Sequence, residues 1–208
     1  MQNPPNSLIY LASASPRRSA LLTQIGIRHR VRPVDLDESR RVGEHPQQYV
    51  QRLAREKAAA LWASLPTSER LPVLAADTTV ALEDEILGKP SDERDAVRML
   101  SRLSGRTHQV YTGVALLASS GSNDRVSVSE VQFRTLSADE MRAYWRTGEP
   151  ADKAGAYAVQ GLAAAFIERI AGSYSGIMGL PLFETAELLA GIGCNIVSDV
   201  APAAEVQQ

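Results

Sequence analysis

Leu8-Ile9-Tyr10-Leu11-Ala12 is a short apolar run stopped by Ser13-Ala14-Ser15-Pro16, a pattern that predicts a buried strand entering a tight turn. Pro16 suits the first turn of a helix with Ser15 as N-cap, Leu21 and Leu22 inside it, and Gly26 at its end. A loosely alternating stretch, 27–34, predicts a second strand. Over 49–63, Tyr49, Val50, Leu53, Ala54, Lys57 and Leu61 share one helical face, so Lys57 lies on or beside an apolar stripe. Pro72-Val73-Leu74-Ala75-Ala76 predicts a buried strand that is interrupted by Asp77. A hairpin is expected next, with Val80-Ala81-Leu82 and Ile86-Leu87 joined through Glu83-Asp84-Glu85.

Gly88-Lys89-Pro90 breaks the strand, and Ser91 or Asp92 caps a helix reaching about Leu103 and closed by Gly105. Val110 to Ala118 and Val126 to Thr135 predict a strand pair around a Gly121-Ser122-Asn123-Asp124 turn. Ser137 and Glu140 form a capping box for a helix toward Trp145. Phe166 to Ile170 reads as a strand, and Leu182 to Leu189 as a helix after Gly179-Leu180-Pro181. Mixed strands and helices indicate an α/β or α+β fold. A chain of 208 residues allows one substantial domain or two lobes sharing a cleft. We expect one such unit over 7–198 and a frayed tail over 199–208.

With 44% hydrophobic and 22% charged residues, the composition is that of an ordinary soluble protein. A net charge of -2 provides no global attraction to a nucleic-acid polymer or an anionic membrane, so any anion site is local. The lone Cys194 is expected as a small buried hydrophobe, and no signal-like or membrane-spanning run appears, so the cytoplasm is the expected compartment. Neither a Walker A sequence nor a Gly-x-Ser-x-Gly elbow is present. Of the three histidines, His29 reads as strand surface, His45 as loop and His108 as a strand-edge residue.

Ser13-Ala14-Ser15-Pro16-Arg17-Arg18 joins a predicted strand to a predicted helix, placing hydroxyls, free N–H groups and two guanidiniums at one dipole-positive end. That is either an anion site or a capped surface helix with solvated arginines. An ionised Asp77 beside an apolar strand needs compensation, from a divalent cation, from a hydrogen bond of Thr78 or Thr79, or from a turn position. Asp35, Asp37 and Glu38, in a turn-like acidic segment, read first as solvated loop acids and only together with Asp77 as a partner for that cation. Mg²⁺ is ordinarily held by one or two carboxylates plus substrate phosphates, so a pair would suffice. Lys57, Lys89 and Lys153 stand where a phosphate counter-charge is wanted, though a lone lysine is more often a solvated surface residue.

The ordered set Ser13-Ala14-Ser15-Pro16-Arg17-Arg18, Ala54-Arg55-Glu56-Lys57-Ala58, Ala76-Asp77-Thr78, Gly88-Lys89-Pro90, Leu103-Ser104-Gly105 with His108, Asp152-Lys153-Ala154-Gly155-Ala156-Tyr157, Gln160-Gly161 and Gly179-Leu180-Pro181 resembles the Maf family of nucleotide pyrophosphatases. The resemblance runs from Leu8 to about Leu189. It implies a Maf/ITPase-like α/β fold, with a central mixed sheet and two lobes flanking a deep cleft, and a homodimer. By matching position, Asp77 corresponds to the general base and Glu38, with Asp37 beside it, to the second acid. Together they would hold Mg²⁺ or Mn²⁺. Ser13, Arg17, Arg18, Lys57 and Lys89 correspond to the phosphate-handling residues. Arg17, Thr78 and Gln160 match the subgroup acting on dTTP and UTP rather than the one preferring 7-methylated GTP. The activity so implied is hydrolysis of a nucleoside triphosphate to the monophosphate and pyrophosphate. The rival is a regulatory module that binds the triphosphate without cleaving it.

Overall fold

The computed structural model describes residues 8–196. The tail expected over 199–208 and both ends of the expected 7–198 unit, residue 7 and residues 197–198, lie outside them. Strand β1 (Ile9–Leu11) is buried at every residue, as its apolar run predicts, and leads into α1 (Pro16–Gln24). Pro16 opens that helix, where its missing N–H costs nothing, while Ser15 stands at the N-cap without a side-chain capping bond. Strand β2 (His29–Val31) is shorter than the expected 27–34; Pro33, which has no N–H to give to a ladder, lies just beyond it.

Helix α2 (Pro46–Ser64) begins three residues before the predicted start. His45, expected as plain loop, is its N-cap: the His45 side chain accepts from Gln47 N at 3.2 Å, and Gln48 Oε1 accepts from His45 N at 3.2 Å. The predicted apolar face is buried against the sheet, with Lys57 among its buried residues.

Strand β3 (Val73–Leu82) does not stop at Asp77 as expected but runs straight through it. Two causes keep the acid in mid-strand. Strand β5 (Thr107–Ala118) pairs with β3 from Val73 to Ala81, placing Asp77 opposite Gly113, and the Lys57 ammonium neutralises the carboxylate. The hairpin to β4 (Glu85–Leu87) forms as predicted, and α3 (Glu93–Leu103) is capped by Asp92, whose side chain accepts from Asp95 N.

Strand β6 (Gly121–Phe133) corrects the next expectation, because Ala118 pairs with Gly121 and the turn is only Ser119-Ser120. Gly121 to Asp124 belong to the strand, and Asp124 is held there by Gln51 and Arg55 of α2. Helix α4 (Ala138–Arg146) has the predicted Ser137–Glu140 capping box. After two short 3-10 turns, Ala154–Ala156 and Leu162–Phe166, the chain makes β7 (Ile167–Ala171), α5 (Tyr174–Met178) and α6 (Leu182–Ala190). The short α5 has no counterpart in the sequence reading.

The fold class is α/β. A seven-stranded mixed sheet has the order β2-β1-β3-β5-β6-β7, with β4 added to β3. β1 is parallel to β2 and β3, whereas the β3–β5, β5–β6 and β6–β7 pairs are antiparallel. Period-two alternation divides β3: Val73 and Ala75 pack with Ala54, Ala58 and Leu61 of α2, while Leu74 and Ala76 pack with Leu21, Leu22 and Leu189 of α1 and α6. Farther along, Val80 and Leu82 enter a third core with α3, α4 and Phe133. Strands β3 and β5 contribute residues to all three of these cores. Among the described residues, no helix is long and apolar enough to cross a membrane.

His108 is no strand-edge residue. It sits on an inner strand at 2% exposure, its Nε2 2.8 Å from the Tyr157 hydroxyl, among Phe133 and Tyr157. Burial lowers its pKa from 6.5 to about 4. The unfolded chain therefore takes up this proton first, and stability falls as pH drops from about 6.5 to 4, by about 3 kcal/mol from this group. Urea denaturation at pH 7 and pH 4 should give a smaller pH-dependent loss for His108→Gln than for wild type; equal losses would disprove it.

Candidate active site

The cleft is a gap in one edge of β3. On that edge β1 pairs only with Val73 and Leu74, and β4 pairs only from Val80 onward, so Asp77, Thr78 and Thr79 have no strand beside them there. Strand β5 covers the other edge continuously. The opening lies beyond the carboxyl end of β1, where open α/β sheets place their ligands, and the N-terminus of α1 faces into it. Its volume is about 530 Å³, ample for a small organic ligand. Five cationic side chains line it (Arg17, Arg18, Lys57, Lys89, Lys153) against three carboxylates (Glu38, Asp77, Asp152), a local excess of positive charge in a chain of net charge -2.

At its floor, Lys57 Nζ stands 2.7 Å from Asp77 Oδ1 and 2.6 Å from Glu38 Oε1. Asp77 takes the α2 face of β3 with Val73 and Ala75, which is why a lysine on the apolar stripe of α2 meets it. Burial pushes the Asp77 carboxyl above its usual range, outweighing the opposite pull of Lys57 and Arg18. Glu38, not Asp37, is the second acid at this point; Asp37 turns back to accept from Ser39 N at 2.9 Å. The Glu38 loop is fastened to α2 by Tyr49, whose hydroxyl donates to Glu38 O at 2.9 Å, and by Arg52, which donates to Ser39 O at 3.2 Å.

Two carboxylates converging on one cation position, from hard oxygen donors only, fit a divalent ion of the Mg²⁺ type whose remaining ligands come from water and phosphate. No group of three or more His, Cys, Asp or Glu that could hold a metal exists among the described residues, so a closed protein cage is absent from them.

Arg18 forms the wall above. Its Nε donates to Gly179 O at 2.7 Å, Nη1 to Ser13 Oγ at 3.0 Å and Nη2 to Thr78 Oγ1 at 3.2 Å, engaging three of five N–H donors with protein. Ser13 also accepts from Ser15 N at 3.2 Å, which holds the turn ahead of α1. Thr78 faces the α1 side of β3, opposite in direction to Asp77, and its hydroxyl lies 2.9 Å from that of Thr112, which in turn donates to Gly176 O at 2.8 Å. Thus Arg18, Thr78 and Thr112 tie α1, β3, β5 and α5 into one polar chain.

Across the cleft stand Lys89, exposed after β4, and Gln160, exposed on the loop following Tyr157. Arg17 approaches Asp152 at 4.0 Å, and Asp152 also pairs with Lys153. All the predicted residues, Ser13, Arg17, Arg18, Glu38, Lys57, Asp77, Thr78, Lys89 and Gln160, therefore line one cavity. Sequence reasoning missed Tyr49, Thr112 and the Gly179 carbonyl. Of these only Thr112 left a signal, as a small polar residue within the apolar run of β5.

A sheet interrupted over a carboxylate pair, with a helix N-terminus and clustered cations around it, defines a protein built to hold a phosphorylated anion. The chain belongs to the Maf-like protein family, whose model matches residues 8–192. It is 52% identical over 197 residues to the dTTP/UTP pyrophosphatase of Saccharophagus degradans, covering 93% of each chain. To the dTTP/UTP pyrophosphatase of Aromatoleum aromaticum it is 53% identical, across 91% of this chain and 98% of that one. Among solved structures it is similar to the Staphylococcus aureus Ham1 protein, at 16% identity and a TM-score of 0.43, over 61% of this chain and 71% of that chain.

Proposed function

We propose that the protein hydrolyses dTTP and UTP to the nucleoside monophosphate and pyrophosphate. The observation carrying this reading is the Asp77–Lys57–Glu38 cluster at the gap in β3, facing the Ser13–Arg18 loop across a cleft with excess positive charge. The kinship with proteins named dTTP/UTP pyrophosphatase supports the choice of substrate.

Asp77 and Glu38 would hold Mg²⁺ or Mn²⁺, which when bound supplies positive charge to the phosphate oxygens. Asp77 takes a proton from the water that attacks the α-phosphorus, a task suited to a carboxylate whose pKa burial has raised. The bond between the α-phosphorus and the bridging oxygen breaks, and pyrophosphate leaves. Lys57, Lys89 and Arg17 neutralise charge gathering on the phosphoryl oxygens, while Ser13 and the first amides of α1 orient them. Arg18 contributes its charge from the wall and keeps the loop in place. Thr78 and Gln160 meet the base, since each can donate and accept as a uracil or thymine edge requires.

We read the chain as a cytoplasmic homodimer formed from single units spanning 7–198, acting on free nucleotides rather than on a nucleic-acid polymer or a membrane. Buried Cys194, the net charge of -2 and the exposed Phe183 on α6 support these points.

Pyrophosphate release from dTTP, UTP and 7-methyl-GTP, with Mg²⁺ and with Mn²⁺, tests the reading. We expect the two pyrimidine nucleotides to be preferred, and Gln160→Ala or Thr78→Ala to lower kcat/KM on dTTP by about tenfold relative to 7-methyl-GTP. An unchanged preference would sink the base assignment. Tight dTTP binding without release from any nucleotide would replace the enzyme with a binding module.

A further inference from the structure

The loop that bears Gln160 is bracketed by a single side-chain pair outside the cleft. The Tyr144 hydroxyl, on α4, accepts from Ala158 N at 3.1 Å and donates to Glu149 Oε1 at 2.7 Å. Glu149 in turn accepts from Leu162 N at 3.0 Å and from Ala163 N at 3.4 Å. The amides so fixed lie two residues before Gln160 and two and three residues after it. Between them, the Gln160 side chain makes no hydrogen bond to any described residue and remains available to the cleft it lines.

Gly161 shows how closely the carboxylate is fitted. A Cβ at that position would stand 2.3 Å from Glu149 Oε2 and 2.4 Å from its Cδ, so the carboxylate fills the volume a side chain would take. Ala163, Ala164 and Ala165 bring no polar side-chain atoms of their own to this stretch. Burial raises the Glu149 pKa, but the bonds from Leu162 N, Tyr144 and Ala163 N outweigh it and hold the carboxyl below its usual range, ionised at neutral pH.

We propose that Glu149 is a positioning residue for base recognition: through Tyr144 on one side and the Leu162 and Ala163 amides on the other, it fixes the point at which the Gln160 amide meets the pyrimidine. The proposal rests on the pyrimidine reading above. Recognition by hydrogen bonds tolerates little displacement; ahead of Gln160 the chain is packed through buried Tyr157, Ala158 and Val159, and after it the Glu149 carboxylate supplies the polar hold that the alanine side chains cannot.

Glu149→Gln keeps the shape but turns an amide NH₂, a donor, toward groups that themselves donate. We expect KM for dTTP to rise by about tenfold with kcat within about twofold, and the preference for dTTP over dGTP to narrow by about tenfold. Hydrogen exchange at Leu162 and Ala163 should quicken while the amides of β5 stay protected. Tyr144→Phe, which removes the phenol without placing a donor against the Glu149 carboxylate, should shift the same quantities in the same direction and serves where E149Q fails to fold. A purely structural role would lower kcat on both nucleotides with KM unchanged, and that result overturns the proposal. Unchanged KM and unchanged exchange in an active E149Q overturn it as well. A wild type that releases no pyrophosphate from dTTP overturns the functional reading instead.

Discussion

Asp77→Asn should reduce pyrophosphate release from dTTP by about 10³-fold at saturating substrate and metal, the scale expected when a general base is lost. The amide keeps the size of the carboxylate but cannot take a proton from water, and it removes one of the two carboxylates proposed to hold the metal. Folding should survive, because a neutral amide avoids the cost of burying the Asp77 charge and the Lys57 ammonium keeps Glu38 as its ion-pair partner. Steady-state turnover alongside thermal denaturation separates the two effects. Wild-type turnover in D77N with metal present would remove Asp77 from the mechanism.

Lys57→Met should be the most destabilising substitution in the cleft, by about 3–5 kcal/mol at neutral pH, because it leaves a buried carboxylate without its cation. Lys57 and Asp77 are 8% and 7% exposed, so solvent does little to replace the lost partner. The loss has a definite pH dependence. Without Lys57 the folded-state pKa of Asp77 rises further, the folded chain then binds more protons than the unfolded one, and stability falls as pH rises. The deficit relative to wild type should therefore be smaller at pH 5 than at pH 8. Guanidinium denaturation at both values checks this, and D77N combined with K57M should recover most of the stability. A pH-independent deficit, or none, would show that the ammonium is not what keeps Asp77 in the strand.

Elements governed by local chemistry were legible in the chain: Pro16 opening α1, the Ser137–Glu140 capping box of α4, the hairpin between β3 and β4. Eight site residues could be named because ordered motifs carried them, Glu38 stood outside those motifs as one of several loop acids, and the fold gathers all nine in one cavity. What local pattern could not supply were facts set by long-range pairing. Asp77 looked like a strand end because an acid breaks an apolar run, yet β5 and Lys57 make the position tenable from outside the segment. Gly121 to Asp124 looked like a turn because their residue types favour turns, yet α2 holds Asp124 within the ladder. His108 looked peripheral for want of any sign that Phe133 and Tyr157 would close over it. The tie from Arg18 to Gly179 O spans 161 positions and ends on a backbone atom, so no residue type could announce it.

Gly113 stands directly opposite Asp77, and a Cβ there would lie 2.5 Å from Val50 O and 2.7 Å from Val50 C. Helix α2 thus rests on the sheet main chain against main chain, seven residues before Lys57. The separation of the ammonium from the carboxylate is gauged by two peptide planes in contact rather than by the girth of any side chain. A single methyl group at position 113 would lift the whole helix and carry Lys57 with it.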